Sequence, residues 1–109
     1  MIARGSHRLL LPFVERFSER DFKQKDFFQS HTWLAELAGY GADKNNRTQQ
    51  FMHQSRQVDG VPLQVIELTG EPGDAVLCHP SIIHAKSPNY SDRPRFMRVK
   101  AVVAKRPLD

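Results

Sequence analysis

Two histidines and an arginine lie near the end of the chain in a pattern that could bind a metal ion and an acid. His79 and His84 are five residues apart, and Arg95 follows eleven residues after the second histidine. Imidazole is a common metal ligand, and the rigid guanidinium fork of arginine matches a carboxylate. From spacing alone, each histidine is either a hydrogen-bonded structural residue or one ligand of a metal site. His7, His31 and His53 have no partner at a useful spacing and are interpreted as surface residues.

The orientation of Arg95 follows from the strand predicted over residues 95–105. Side chains alternate between the two faces of a strand, and one face here is apolar apart from Arg95. That face is expected to point inward, which would direct the guanidinium into the core. An unpaired buried charge is costly, so Arg95 is expected to pair with an Asp or Glu of the protein or with a carboxylate ligand. The inward face comprises Arg95, Met97, Val99, Ala101 and Val103.

The remaining elements are predicted from periodicity and turn residues. Residues 1–57 are expected to form helices and loops, and residues 58–106 to form short antiparallel strands. Trp33, Leu34 and Leu37 share one side of a predicted helix that ends at Gly39. The predicted segments are an amphipathic stretch over 6–17 broken at Pro12, a helix over 30–39, a polar loop over 40–50, and strands over 61–70, 74–79, 80–86 and 95–105.

This pattern predicts a mainly β protein with N-terminal helices, in a single domain or domain fragment over residues 1–109. The strand spacing is typical of part of a β-sandwich or jelly roll, but an eight-stranded jelly roll needs more strands than these. The edges of so small a sheet must be covered or paired. We therefore expect either a fragment of a larger domain or a homodimer that completes the sheet.

Composition narrows the functional classes. The chain has 109 residues, 39% of them hydrophobic and 26% charged, with a net charge of +4. No apolar run approaches the roughly 20 residues that span a bilayer, and no secretory signal is recognised. Cys78 is the sole cysteine, so no internal disulfide framework forms, which predicts a reducing compartment such as the cytoplasm. Cys78 itself is interpreted as a small buried strand residue. Basic and acidic residues alternate, so the charge pattern does not indicate a nucleic-acid-binding surface. The N-glycosylation sequon at residues 89–91 is interpreted as a turn.

The stretch from "VDGVPLQV" to "RVKAVV", about residues 58–104, resembles the C-terminal half of the phytanoyl-CoA dioxygenase family. The resemblance is carried by "GD", "HP", "HxxxPN" and "RPR" in that order, and "ARGSHRLL" at residues 3–10 is similar to the family's "PGSHR" segment. It implies an Fe(II)- and 2-oxoglutarate-dependent oxygenase on a double-stranded β-helix, a cupin-like jelly roll, that hydroxylates a small organic substrate.

The resemblance also implies roles for particular residues. His84 would be the second histidine of a two-histidine, one-carboxylate iron site, and Arg95 would bind the distal carboxylate of 2-oxoglutarate. Asn89 and Ser91 would be further cofactor-binding residues that shape the turn between His84 and Arg95, while His79 would have no ligand role. Trp33 and the loop around Asn45 would lie in the segment that shapes the substrate pocket.

The family's other two iron ligands form an HxD or HxE pair, which none of the five histidines here begins. The missing pair is expected in sequence outside this chain, and the chain alone is expected to be inactive.

Three other functions remain open. One is a non-catalytic dimeric β-domain that binds a carboxylate ligand or a partner protein. Another is a metal site shared between two chains through His79 and His84. The last is nucleic-acid binding through the basic residues.

Overall fold

The computed structural model describes residues 1–17, 21–41, 45–103 and 105. Within these residues, four short helices pack with a three-stranded antiparallel sheet. The helices are α1 (His7–Val14), α2 (Gln24–Gln29), α3 (Thr32–Leu37) and α4 (Arg47–Phe51), and the strands are β1 (Ile2–Arg4), β2 (Arg56–Val58) and β3 (Val61–Ile66). None of the helices in this part of the chain has the length and apolar character needed to cross a bilayer.

The sheet has the strand order β1-β3-β2. Val58 pairs with Val61, so the two residues Asp59 and Gly60 make the whole turn between β2 and β3. Both have positive φ, 48° and 74°, which matches the Asp-Gly preference of a tight type I′ hairpin. β1 pairs with the other side of β3, with Ala3 opposite Val65. β3 is therefore the central strand, and β1 lies at one edge of the sheet.

The core is built almost entirely from the first 65 residues. Its largest fully buried side chains are Phe27, Leu34 and Leu63, and Ile83 packs against it from the later part of the chain. Helices and sheet therefore bury their apolar faces against each other. The buried apolar residues are Ala3, Leu9, Phe27, Trp33, Leu34, Phe51, Val58, Leu63 and Val65.

The helix predicted over residues 30–39 is confirmed as α3. Trp33 and Leu34 are buried, Leu37 is partly buried, and Gly39 follows the helix with a φ of 89°. A positive φ just beyond a helix is the conformation in which glycine has no steric penalty. The apolar periodicity and the terminating glycine were sufficient to locate this element.

Two predictions for the N-terminal part are wrong. The amphipathic stretch is not broken at Pro12, because α1 runs through it from His7 to Val14 and is anchored by buried Leu9. The predicted polar loop contains α4, which is held by Phe51 packing edge-on to Trp33 with ring centroids 5.3 Å apart. Tertiary packing thus stabilises a helix where local composition favours a turn. Residues 42–44 of the predicted loop lie outside the described residues.

The predicted mainly β fold is also wrong. Of the described residues, about 26% are helical and 13% are strand, and their sheet is not closed, so this part of the chain is not a double-stranded β-helix. The strand predicted over 61–70 is confirmed as β3, residues 61–66.

The later strands do not form. Residues 74–79 have no regular structure, residues 80–86 contribute only a bridge at His84, and residues 95–103 and 105 form no strand. Alternation yields a strand only where a neighbouring edge supplies hydrogen bonds. Cys78 accordingly is exposed rather than buried.

Candidate functional site

Two segments far apart in sequence meet along β1. His84 forms a bridge with Ile2, and the Ala3 N–H donates to the Ile83 carbonyl over 2.9 Å. β1 therefore has β3 on one side and residues 83–85 on the other. This contact brings the "GSH" segment next to the histidine that was predicted to bind metal.

Gly5 and Ser6 complete the junction. A Cβ on Gly5 would lie 2.6 Å from the Pro62 carbonyl oxygen, and its φ is 89°, so both space and backbone conformation require glycine. Ser6 is fully buried, and its Oγ accepts a hydrogen bond from the Ile83 N–H over 2.8 Å. The pair is thus needed to hold the later segment against the core.

His7 has a partner, contrary to the prediction. Its ring stacks on His79, with centroids 5.0 Å apart and planes 26° apart. The Nδ1 atom of His7 is buried and has no hydrogen-bond partner among the described residues. Burial lowers the pKa of His7, and the nearby His79 and Arg8 lower this pKa further. His7 is therefore held as neutral imidazole, stacked against the start of the His79–His84 segment.

The exposed His84 side chain is arranged so that one nitrogen can act as an acceptor. Its Nδ1 lies 3.1 Å from the Ile82 carbonyl oxygen, which can only accept, so Nδ1 is the donor. In the neutral ring with this tautomer, Nε2 carries the lone pair. Metal-binding histidines commonly use their second nitrogen in this way. The geometry is therefore compatible with one metal bond through Nε2.

Clefts open on both sides of the Ile83–His84 segment. One, of about 310 Å³, lies against α1 and α2 and is lined by Phe22, Phe27 and Phe28 among others. The other, of about 370 Å³, lies against β1 and α3 and includes Arg47. Ile83 and His84 line both clefts. Cavities of this size and mainly apolar lining can accept small organic molecules.

The residues that the resemblance places around the substrate have other surroundings. Trp33 is a core residue only 2% exposed, and neither cleft is lined by it. Asn45 is exposed. Arg47, close to Asn45 in sequence, lines the second cleft. Its guanidinium donates to the Glu36 and Leu37 carbonyls over 2.8 and 2.7 Å.

Arg95 does not point into the core. The residue is exposed, and its guanidinium donates to the Ser87 carbonyl over 2.9 Å. The inward orientation was wrong because it assumed a strand with one face on the core, and residues 95–103 form no strand.

Asn89 and Ser91 hold a tight turn before Arg95. The Asn89 side-chain amide donates to the Arg93 carbonyl over 2.7 Å, and its oxygen accepts from the Ser91 N–H and hydroxyl. The proposed cofactor roles of both residues remain predictions.

The residues present do not fit a complete iron site. Across the described ranges, no group of three or more His, Cys, Asp or Glu residues could hold a metal ion. A two-histidine, one-carboxylate centre needs three such ligands, and His84 supplies one. His79 is unsuited to be the second, since its Nδ1 accepts from the Ser81 N–H over 3.1 Å and its ring stacks on His7.

A further polar cluster was not predicted from the sequence. His31 lies 2.6 Å from Asp59 and 2.8 Å from the Ser30 hydroxyl. The three residue types are those of a serine–histidine–aspartate catalytic triad, but their surroundings are not those of an active site. The Ser30 hydroxyl also donates to the Phe27 carbonyl over 2.6 Å, Asp59 is 70% exposed, and neither cleft includes the cluster. It therefore ties the α2–α3 junction to the β2–β3 turn.

No protein-family model, curated protein or solved structure matches this chain significantly. The resemblance to the phytanoyl-CoA dioxygenase family consequently depends on the sequence motifs alone.

Proposed function

We propose that this chain is the C-terminal portion of a non-haem Fe(II)- and 2-oxoglutarate-dependent oxygenase that hydroxylates a small organic substrate. The observation that supports this most is the contact between the two motif segments. Ser6 in "GSHR" accepts from the Ile83 N–H, one residue before His84. The two motifs lie 77 residues apart in sequence, and their contact in the folded chain supports the interpretation that they belong to one site.

In this proposal His84 is a metal ligand through Nε2. The hydrogen bond from Nδ1 to the Ile82 carbonyl orients the ring for that role. The remaining ligands, an HxD or HxE pair, come from sequence outside this chain. By itself the chain is expected to be inactive as a hydroxylase.

Arg95 binds the distal carboxylate of 2-oxoglutarate in this proposal. Only one guanidinium N–H is directed at Ser87, and arginine has five donors, so the others are able to form a bidentate pair with a carboxylate. Ser87 follows His84 by three residues, which is about 10 Å along an extended chain. The turn of Asn89 and Ser91 sets the position of Arg95 relative to that segment.

The proposal places the protein in the cytoplasm, with a small molecule as substrate and neither nucleic acid nor membrane as partner. Cys78 is an exposed free thiol, and such thiols persist in reducing compartments.

The test begins with the native polypeptide and the reading frame before codon 1. We expect a protein longer than 12.5 kDa with an HxD or HxE upstream, which binds Fe(II) and consumes 2-oxoglutarate. His84→Ala is expected to abolish iron binding, and Arg95→Ala to raise the KM for 2-oxoglutarate. His53→Ala is the matched control, since the His53 side chain is exposed and lies within hydrogen-bond distance of the exposed Gln49 side chain. A native 12.5 kDa chain with a stop codon directly upstream would disprove the proposal.

A second candidate is a non-catalytic module that binds a partner protein or a carboxylate ligand, either as a monomer or as a homodimer. The observation that favours it is the exposure of large apolar side chains, such as Leu77 at 94% and Val103 at 91%. Stable, stoichiometric complexes formed without metal or 2-oxoglutarate would support this candidate over the oxygenase.

A further inference from the structure

Residues 95–103, here named the C-terminal apolar segment, contain six apolar residues, all of them exposed. Phe96 is 90% exposed, Val99 88% and Val103 91%. The segment belongs to no helix or strand in the described part of the chain, so its backbone amides are available to a neighbouring strand. Large exposed apolar patches mark interaction sites in soluble proteins.

The total surface of the chain is large enough for a partner. The accessible area is 9348 Å², whereas a compact monomer of this mass exposes about 6,200 Å². The excess of about 3,000 Å² exceeds the roughly 800 Å² that each partner contributes to a standard interface. The radius of gyration of 15.6 Å is likewise above the value of about 13 Å for a compact domain of this length.

Charge indicates the kind of partner. Residues 93–106 contain six Lys or Arg residues and no Asp or Glu. If the C-terminal apolar segment forms a strand, Arg98 and Lys100 lie on one face between Phe96 and Val102. Met97, Val99, Ala101 and Val103 lie on the other face, which begins with Arg95. Such a strand has one face that is apolar beyond Arg95, and it carries two neighbouring cations on the opposite face.

This charge pattern disfavours the two self-pairings of the segment in which all nine residues are paired. Antiparallel self-pairing centred on Val99 sets Arg98 opposite Lys100, and parallel in-register pairing sets each cation opposite itself. Like charges directly opposite each other destabilise a strand pair. The strand that fits carries Asp or Glu opposite the two cations.

We propose that the C-terminal apolar segment adds as a strand to the edge of a β-sheet in a partner protein, next to a strand that carries Asp or Glu opposite Arg98 and Lys100. Main-chain hydrogen bonds supply the general affinity in this mode of recognition, and the charge pairs select the acidic edge. The proposal uses neither His84 nor the guanidinium of Arg95, so it does not depend on the oxygenase function.

The test titrates the full chain into a dye-labelled, designed β-hairpin whose open edge strand alternates Val with Glu, followed by fluorescence anisotropy. A hairpin with Lys in place of Glu and a Glu hairpin with N-methylated edge amides are the comparison probes. We expect the Glu hairpin to bind at least about tenfold more tightly than the Lys hairpin. We also expect its binding to weaken with salt and to be lost on N-methylation.

The variant R98E/K100E is expected to reverse the preference toward the Lys hairpin. K23E/K25E is the matched control, since Lys23 and Lys25 are exposed, have the same spacing and receive the same change in charge. Circular dichroism checks that both variants keep the helical content of the parent chain.

Several results would overturn the proposal. Equal binding of the Glu, Lys and N-methylated hairpins would exclude strand addition with charge selection. If R98E/K100E still preferred the Glu hairpin, Arg98 and Lys100 would not be the residues that select the acidic strand. Tighter binding of a single-stranded oligonucleotide or of phosphatidylserine vesicles than of the Glu hairpin would assign the surface to another class of partner. A micromolar homodimer that R98E/K100E leaves intact in sedimentation would assign it to a second copy.

Discussion

His7 is the residue whose ionisation the fold constrains most clearly. Its Nδ1 is buried without a hydrogen-bond partner in the described part of the chain, and its ring lies against His79. Protonating His7 would place a charge in a partly buried position beside a second imidazole and Arg8. The neutral form is therefore the one that the folded chain stabilises.

This constraint predicts acid sensitivity. The pKa of His7 is lowered from 6.5 in the folded state, so between the two pKa values the unfolded chain binds more protons. The resulting stability is fully present above about pH 6.5 and is lost as pH falls through the folded pKa. We expect the urea midpoint to drop between pH 7 and pH 5, and to drop less in His7→Gln. His53→Gln, which alters an exposed histidine, should retain the full decrease. A pH dependence that His7→Gln leaves unchanged would contradict this explanation.

Ser6 is the second residue with a defined contribution. Ser6→Ala leaves the Ile83 N–H without its acceptor and is expected to lower the free energy of unfolding by about 1–3 kcal/mol. Chemical denaturation measures the loss, and faster hydrogen exchange at the Ile83 amide would locate it. Ser55→Ala, at an exposed serine, should change the free energy of unfolding by less than about 0.5 kcal/mol. Equal losses of unfolding free energy in Ser6→Ala and Ser55→Ala would show that the hydrogen bond from the Ile83 N–H to the Ser6 hydroxyl does not stabilise the fold.

Among the elements, α3 depends on a contact from α4. Arg47 donates to two carbonyls at the end of α3 and lies 5.0 Å from the centre of the Phe51 ring. The last carbonyls of a helix lack partners within the helix. The Glu36 carbonyl also accepts the Gly39 N–H over 3.1 Å, whereas the bond to the Leu37 carbonyl comes from Arg47. One side chain therefore closes α3 and fixes α4 against it.

Replacing this side chain tests the coupling of the two helices. Arg47→Ala is expected to cost about 2 kcal/mol of unfolding free energy, the range for hydrogen bonds from a charged donor. Arg47→Lys should recover only part of it, because an ammonium group cannot reproduce the fork that reaches both carbonyls. Urea denaturation is the measurement, with Arg56→Ala at an exposed position as control. If Arg47→Lys restored the full free energy of unfolding, the positive charge rather than the shape of the guanidinium would account for the stabilisation.

For the whole molecule, the distribution of buried residues separates a packed part from an exposed part. The buried apolar residues lie within residues 3–65, whereas the large apolar side chains of residues 96–103 face solvent. A chain whose stability is so unevenly distributed opens first where few buried contacts exist.

Limited proteolysis checks this division. Trypsin is expected to cut first after Arg95, Arg98 and Lys100, and only later after Arg47, whose guanidinium is engaged. Mass spectrometry of early time points identifies the order of cleavage. First cleavage at Arg47 would contradict the division. The acidic hairpin used above should protect the three early sites if it docks on the C-terminal apolar segment.

The sequence predicted the elements whose information is local. The apolar side of α3 and the glycine that follows it lie within eight consecutive residues, so both signals are visible in the local sequence. β3 is a β-branched run bounded by turns. The shorter elements were missed because β2 has only three residues, two of them polar, and because α4 forms through Arg47 and Phe51 contacts with other segments.

The sequence by itself determined which residue types could act chemically and where they stand along the chain. Only the tertiary structure decided that Ser6 meets Ile83, that His7 stacks on His79, and that Arg95 lies outside the core. The reason is physical: a helix satisfies its hydrogen bonds within its own segment, whereas a strand needs an edge supplied by distant residues. Alternation over residues 95–103 is therefore a preference that becomes a strand only beside a partner.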